Sequence, residues 1–116
     1  MPNQSNSIKR EHNIQNAIRL WCGEHNILCF RCNVGKVQCI DGTWFDTGLP
    51  DGFSDLIALT NGTIYFIEVK TRTGQQRKAQ IDFQHTVESR GYIYILARSV
   101  LDVSSKIPYN NTNGGI

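Results

Sequence analysis

The sequence predicts one α/β domain with a mixed central sheet flanked by helices, in the order α-β-β-β-α-β. Three observations predict it: an apolar stripe of helical period near the N terminus, two hairpin dipeptides (Asp41-Gly42 and Asn61-Gly62), and a second helical stretch that leads into a last apolar run. At 116 residues the chain can pack one core and is too short for two.

Ile14, Ala17, Ile18, Trp21 and Cys22 recur at i, i+3, i+4, i+7 and i+8, which predicts an amphipathic helix from Ile8 to Glu24 ending near Gly23. Ile27 to Asn33 reads as a strand. The long stretch from Val34 to Phe53 is broken by glycines, and within it Asp41-Gly42 predicts a two-residue hairpin loop between KVQCI and TWFD. A connection of this length is more often functional than idle, so it is expected near the site. DLIALT (55–60) and TIYFIEVK (63–70) form a second hairpin on Asn61-Gly62. Both parities of that hairpin are apolar, so its sheet needs cover on two faces, which the two helices are expected to give. Gln76 to Arg90 predicts a helix with Ala79, Phe83 and Val87 on one side, and Tyr92 to Arg98 the last strand. The domain is expected over 1–106, with a flexible tail over 107–116 whose Asn/Gly-rich end from Asn110 has too few apolar groups to offset its ordering entropy.

A net charge of +2 permits a nucleic-acid partner without requiring one, but the basic groups are bunched: Arg72, Arg77 and Lys78 follow closely on Lys70. No run approaches the roughly 18 apolar residues of a membrane span, so no membrane partner is expected. The polar start from Met1 to Arg10 holds no secretory apolar run, so the cytoplasm is the expected compartment.

If Asn61 and Gly62 are the loop residues, opposed positions sum to 123, and Asp55 faces Glu68. Opposed side chains on one face stand roughly 4.5–5.5 Å apart at Cβ, and Lys70 points to the same face. Two adjacent carboxylates destabilise a sheet unless a cation joins them. Oxygen ligands on an open site suit Mg²⁺ or Mn²⁺, with Lys70 beside the nucleophile or the scissile phosphate, and the chemistry that follows is phosphodiester hydrolysis. The plainer reading is a strand start at Asp55 and a solvated Glu68–Lys70 ion pair.

GFSDLIAL followed by YFIEVKT resembles the PD-(D/E)XK nuclease superfamily and, more narrowly, the VRR-NUC family. The resemblance spans about Lys9 to Arg98 and matches Glu11 in EHNIQNAI, Asp55, Glu68, Lys70, Gln80 and Phe83 in QIDF, and Gly91. It implies a restriction-endonuclease-like core. It also implies metal ligation by Asp55, Glu68 and the Val69 carbonyl, with Glu11 at the metal directly or through water, and incision of branched or junction DNA in replication, repair or recombination, commonly in phages. Ser54 stands where the superfamily pattern has Pro, and Pro50-Asp51 lies just upstream. Asp55 is taken as the ligand because it leads directly into the strand.

Glu11 shares a helix face with Gln15, Ile18 and Cys22, and Gln80 lies on the inward side of its helix, placed to orient a water or a phosphate oxygen. Arg31, Lys36, Arg72, Arg77 and Lys78 are the expected phosphate contacts. Trp44 and Phe45 could stack on unpaired bases, with one of them expected to cap the core. A unit this small is expected to dimerise to cut two strands. The alternatives are a non-catalytic nucleic-acid-binding module of the same fold and a sequence-reading restriction-type nuclease. Cys22, Cys29, Cys32 and Cys39 have a symmetric spacing, but Cys29 and Cys32 sit at opposite strand parity, so core packing is expected rather than zinc.

Overall fold

Helix α1 spans Gln4–Glu24 in the computed structural model, which describes residues 4–109. It starts before Ile8 because the polar Gln4–Ser7 segment carries no apolar residue to signal a helix and no Gly or Pro to stop one. Its end lies beyond Gly23. Asn26 adopts the left-handed conformation (φ 58°), and the Ile27 N–H returns to the Cys22 carbonyl at 2.9 Å, a Schellman stop.

After α1 come β1 (Leu28–Arg31), β2 (Lys36–Gln38), β3 (Trp44–Asp46), β4 (Leu56–Thr60) and β5 (Thr63–Val69). They are followed by α2 (Lys78–Ser89), β6 (Ile93–Ala97) and α3 (Val100–Ser104). The main sheet has the order β1-β4-β5-β6, antiparallel except for the parallel pair β5 and β6, and it is the expected mixed sheet. Strands β2 and β3 form a separate two-stranded sheet. Helix α3 was not expected, although Ser99-Val100-Leu101-Asp102 has the spacing of a helix start. The Asp102 carboxylate accepts the Arg98 backbone N–H at 2.8 Å just ahead of that helix.

The β4–β5 register is the one derived from Asn61-Gly62: Thr60 faces Thr63 and Ile57 faces Phe66. The other hairpin differs. Gln38 faces Trp44, and Cys39 and Thr43 close the loop (N to O, 2.7 Å), so Ile40, Asp41 and Gly42 make a three-residue loop instead of the expected two. Gly42 supplies the positive φ (88°) that such loops need, and Asp41 Oδ1 accepts both the Thr43 N–H and hydroxyl.

One sheet face packs Leu56, Ala58, Ile67, Val69, Ile95 and Ala97 against Ile18 and Cys22 of α1, Val103 of α3 and Ile107. Ala17, expected in the stripe, is exposed, because steps of three and four residues from Ile14 and Gln15 carry the contact through Ile18 and Cys22. Packing continues past the boundary expected at Lys106: Ile107 is buried, and the Tyr109 ring meets Trp21 and His25. The tail from Asn110 lies outside the described residues.

The second face carries an aromatic cluster of Phe53, Phe66, Phe83 and Tyr94 under α2. Its cover stops there. Leu28 and Phe30 of β1, opposite Leu59 and Ile57, remain 61% and 54% exposed, so the expected two-sided cover holds over β5 and β6 and fails at the β1 edge. No helix among the described residues is long and apolar enough to cross a membrane.

Candidate active site

The β4–β5 register brings Asp55, just ahead of β4, alongside the end of β5. The pairing of β1 extends to the Asp55 carbonyl, which accepts the Cys32 N–H at 2.8 Å, and the Asp55 carboxylate (Oδ2) accepts the Val69 N–H at 2.8 Å. The side chain thus occupies the place of the next ladder acceptor, which fixes its orientation. Ser54, where the superfamily pattern has Pro, is fully buried and donates its hydroxyl to the Leu56 carbonyl at 3.0 Å.

Glu68 is the buried centre of the site, 1% exposed. Its Oε2 accepts the Gln80 amide N–H at 2.7 Å and lies 3.8 Å from the Lys70 ammonium, while its Oε1 has no hydrogen-bond partner among the described residues. Burial, then the neighbouring Asp55 charge, pushes the Glu68 carboxyl up to about 8. Burial likewise raises Asp55 above the ordinary carboxylate range, against the Val69 hydrogen bond that lowers it. Glu11 of α1 is raised too, by burial, with Lys70 opposing and Asp55 adding to the shift. These three acids and Lys70 therefore act on one another across a single site.

Gln80 does not stand free to orient water, as expected from the helix pattern. Its carbonyl accepts the Arg77 backbone N–H at 2.8 Å, capping α2, and its amide holds Glu68, so both ends are engaged. The loop before Asp55 is clamped to the same helix start. Asp51 pairs with Arg77 at 3.1 Å, and Gly52 (φ +91°) lies so close to the Ala79 backbone carbonyl that a Cβ there would overlap it. Asp51 is thus an outer ion-pair partner, and the carboxylate that meets Glu68 is Asp55.

The expected phosphate contacts divide. Arg31 is exposed at the β1 end and its charge is felt at Asp55, while Arg77 is felt at both Glu68 and Asp55. Arg72 is exposed and lines a cavity on the α1 side of the site. Lys78 points outward to Asp82 at 2.8 Å, and Lys36 lies on the exposed β2, opposite Asp46, so neither is brought to the carboxylates. Trp44 and Phe45 are 65% and 61% exposed, and neither caps the core, because β3 joins only β2.

Cys22 is buried in the core with Cys29 packed against it, and a hydrogen bond between the two thiols raises Cys22 and lowers Cys29. Cys39 departs from the core-packing expectation, since its hairpin is exposed. Arg98 was not singled out by any sequence pattern, yet its Nη1 donates to the carbonyls of Thr71 (2.7 Å), Arg72 (3.2 Å) and Gly74 (2.7 Å), holding the turn that follows Lys70.

The donor set suits a hard divalent cation. Two carboxylates meet with one oxygen buried and unpartnered, an arrangement that costs stability until a cation joins it. Among the described residues no three His, Cys, Asp or Glu side chains gather closely enough to hold a metal by themselves. The ion would therefore take its remaining ligands from backbone, water and substrate, as Mg²⁺ commonly does.

A solved structure described as a VRR_NUC domain is similar to this chain with a TM-score of 0.62, covering 83% of this chain and 91% of that one at 19% identity. No family model matches the chain, and no curated protein matches it. The likeness is one of fold: a mixed sheet flanked by helices, as in that VRR_NUC domain.

Proposed function

We propose that this chain is a Mg²⁺- or Mn²⁺-dependent endonuclease that hydrolyses phosphodiester bonds in branched or junction DNA. The observation that carries the reading is the unpartnered, buried Glu68 Oε1 beside Asp55, with the Lys70 ammonium 3.8 Å from the same carboxylate.

Asp55, Glu68 and the Val69 carbonyl would hold the cation, with Glu11 behind them. Once bound, it would polarise a phosphoryl oxygen and lower the pKa of a water. The chain's own groups position the rest. The Val69 N–H fixes one Asp55 oxygen and so the orientation of the carboxylate toward Glu68. Gln80 fixes Glu68 from the α2 side, and its own orientation is set by the Arg77 backbone. Lys70, almost buried, presents a positive charge where the attacking water and the scissile phosphate meet. Two such units, as a homodimer, would cut two strands symmetrically, in the cytoplasm of the cell that makes the protein or of a phage's host.

Incubating the chain with junction, flap, nicked and linear DNA plus Mg²⁺ or Mn²⁺ tests this. Fragments from the parent and none from Glu68→Ala are expected, with branched substrates cut fastest. A mobility shift without fragments would instead make the chain a binding module, and cuts at one short sequence would make it a restriction-type enzyme.

A further inference from the structure

Immediately beyond Lys70 the chain turns through Thr71, Arg72, Thr73 and Gly74, and this turn faces the N-terminal half of α1 across an open cavity of about 700 Å³. Arg10, Arg72 and Arg98 line it, with Asn13, Thr71 and Thr73 between them. Among the described residues none of these arginines forms an ion pair: the acidic partners present go to Lys70, Arg77 and Lys78. Three guanidinium groups around one cavity repel one another, and the hydroxyl and amide groups beside them are hydrogen-bond donors. An anion with several acceptor oxygens satisfies both.

Two details narrow the anion. Arg98 has Nη1 committed to three turn carbonyls, so it is held rigidly and presents its remaining N–H groups from a fixed position. The cavity also follows directly on Lys70 in the chain, so a ligand lying through both would be a polymer with an anionic group at each repeat. We infer that the cavity binds an internal phosphodiester of a nucleic-acid strand, next to the phosphodiester held at Asp55, Glu68 and Lys70. This rests on the nuclease reading for what lies in the adjoining site. It adds Arg10 and Arg98 to the substrate contacts and sets the strand's path between α1 and the 71–74 turn.

The test is binding without divalent metal, read by fluorescence anisotropy of an internally labelled DNA strand carrying either a 5′-phosphate or a 5′-hydroxyl. The proteins are the parent, Arg10→Gln, Arg10→Lys, and Lys106→Gln, which makes the same charge change outside the cavity. Arg10 is exposed, so the fold should tolerate both changes. Arg10→Gln is expected to weaken binding about 5- to 10-fold on both strands and to reduce the slope of log affinity against log salt by about 1. Arg10→Lys should keep most of the slope, and Lys106→Gln all of it. An unchanged slope in Arg10→Gln, an equal loss in Lys106→Gln, an effect confined to the 5′-phosphorylated strand, or no measurable binding by the parent would overturn the inference. Cleavage in Mn²⁺ is measured alongside. Fragments with an unchanged slope remove only the cavity assignment, and a reduced slope without fragments removes only the nuclease reading.

Discussion

Two clusters of like charge adjoin at the end of β5, and they are built in opposite ways. Asp55 and Glu68 are largely withdrawn from water and held by the Val69 N–H and Gln80, and both are pushed up by burial. Arg72, two residues past Lys70, and Arg10, beside Glu11 in α1, stand in solvent without acidic partners among the described residues. Repulsion in water is screened and costs little, whereas a buried carboxylate pair carries its cost in the fold itself. The difference separates two roles: the buried acids govern rate and metal affinity, and the exposed arginines govern how tightly a strand is held and how salt weakens that hold.

The largest effect that would sharpen this division is on cleavage rate. Lys70→Ala and Glu68→Ala are each expected to slow cleavage by about 10²–10⁴-fold, and Glu68→Ala, which removes no cation, to leave the salt slope of DNA binding unchanged. Parent-rate cleavage by either would place the chemistry elsewhere. Next in size is Gly52→Ala. A Cβ there would overlap the Ala79 carbonyl at a backbone angle that favours glycine, so a loss of about 2–3 kcal/mol is expected, read as a fall in melting temperature. That loss would show that the acid side depends on the clamp between its lead-in loop and α2.

Gln80→Ala removes the hydrogen bond that orients Glu68 and is expected to weaken Mn²⁺ binding by about 10- to 100-fold, measured by electron paramagnetic resonance titration. The remaining effect is on pH dependence. In the metal-free protein Glu68 keeps its proton up to about 8, whereas the unfolded carboxyl loses it near 4.5, so the folded state binds more protons across that window. Stability therefore falls as pH rises from about 4.5 to about 8, and thermal melts at pH 5.5 and 8.5 would show it. Glu68→Gln should flatten that dependence. A flat parent profile would mean that Glu68 is hydrated in the metal-free fold.

The acid side was legible in the sequence because one dipeptide sets it. Asn61-Gly62 fixes the β4–β5 register, and the register places Asp55, Glu68 and Lys70 without further information. Asp41-Gly42 marked a hairpin equally well but misplaced its register by one residue, since Asp41 caps Thr43 and adds Ile40 to the loop. The arginine side was largely illegible. Arg72 stood out in the basic bunch after Lys70, but Arg10 and Arg98 come from distant segments, and nothing in their spacing marks them until β6 lies parallel to β5 and brings Arg98 to the turn after Lys70. The same holds for Gln80. Its helix face was readable, but its engagement at both ends depends on where α2 starts relative to Glu68.

The most direct test of the claim that Asp55 and Glu68 share a divalent cation is anomalous diffraction from a crystal soaked in Mn²⁺. The account predicts a peak within coordination distance of a carboxylate oxygen from each of the two residues and absent in Glu68→Ala. Density that touches neither carboxylate, or that persists unchanged in the variant, would contradict it.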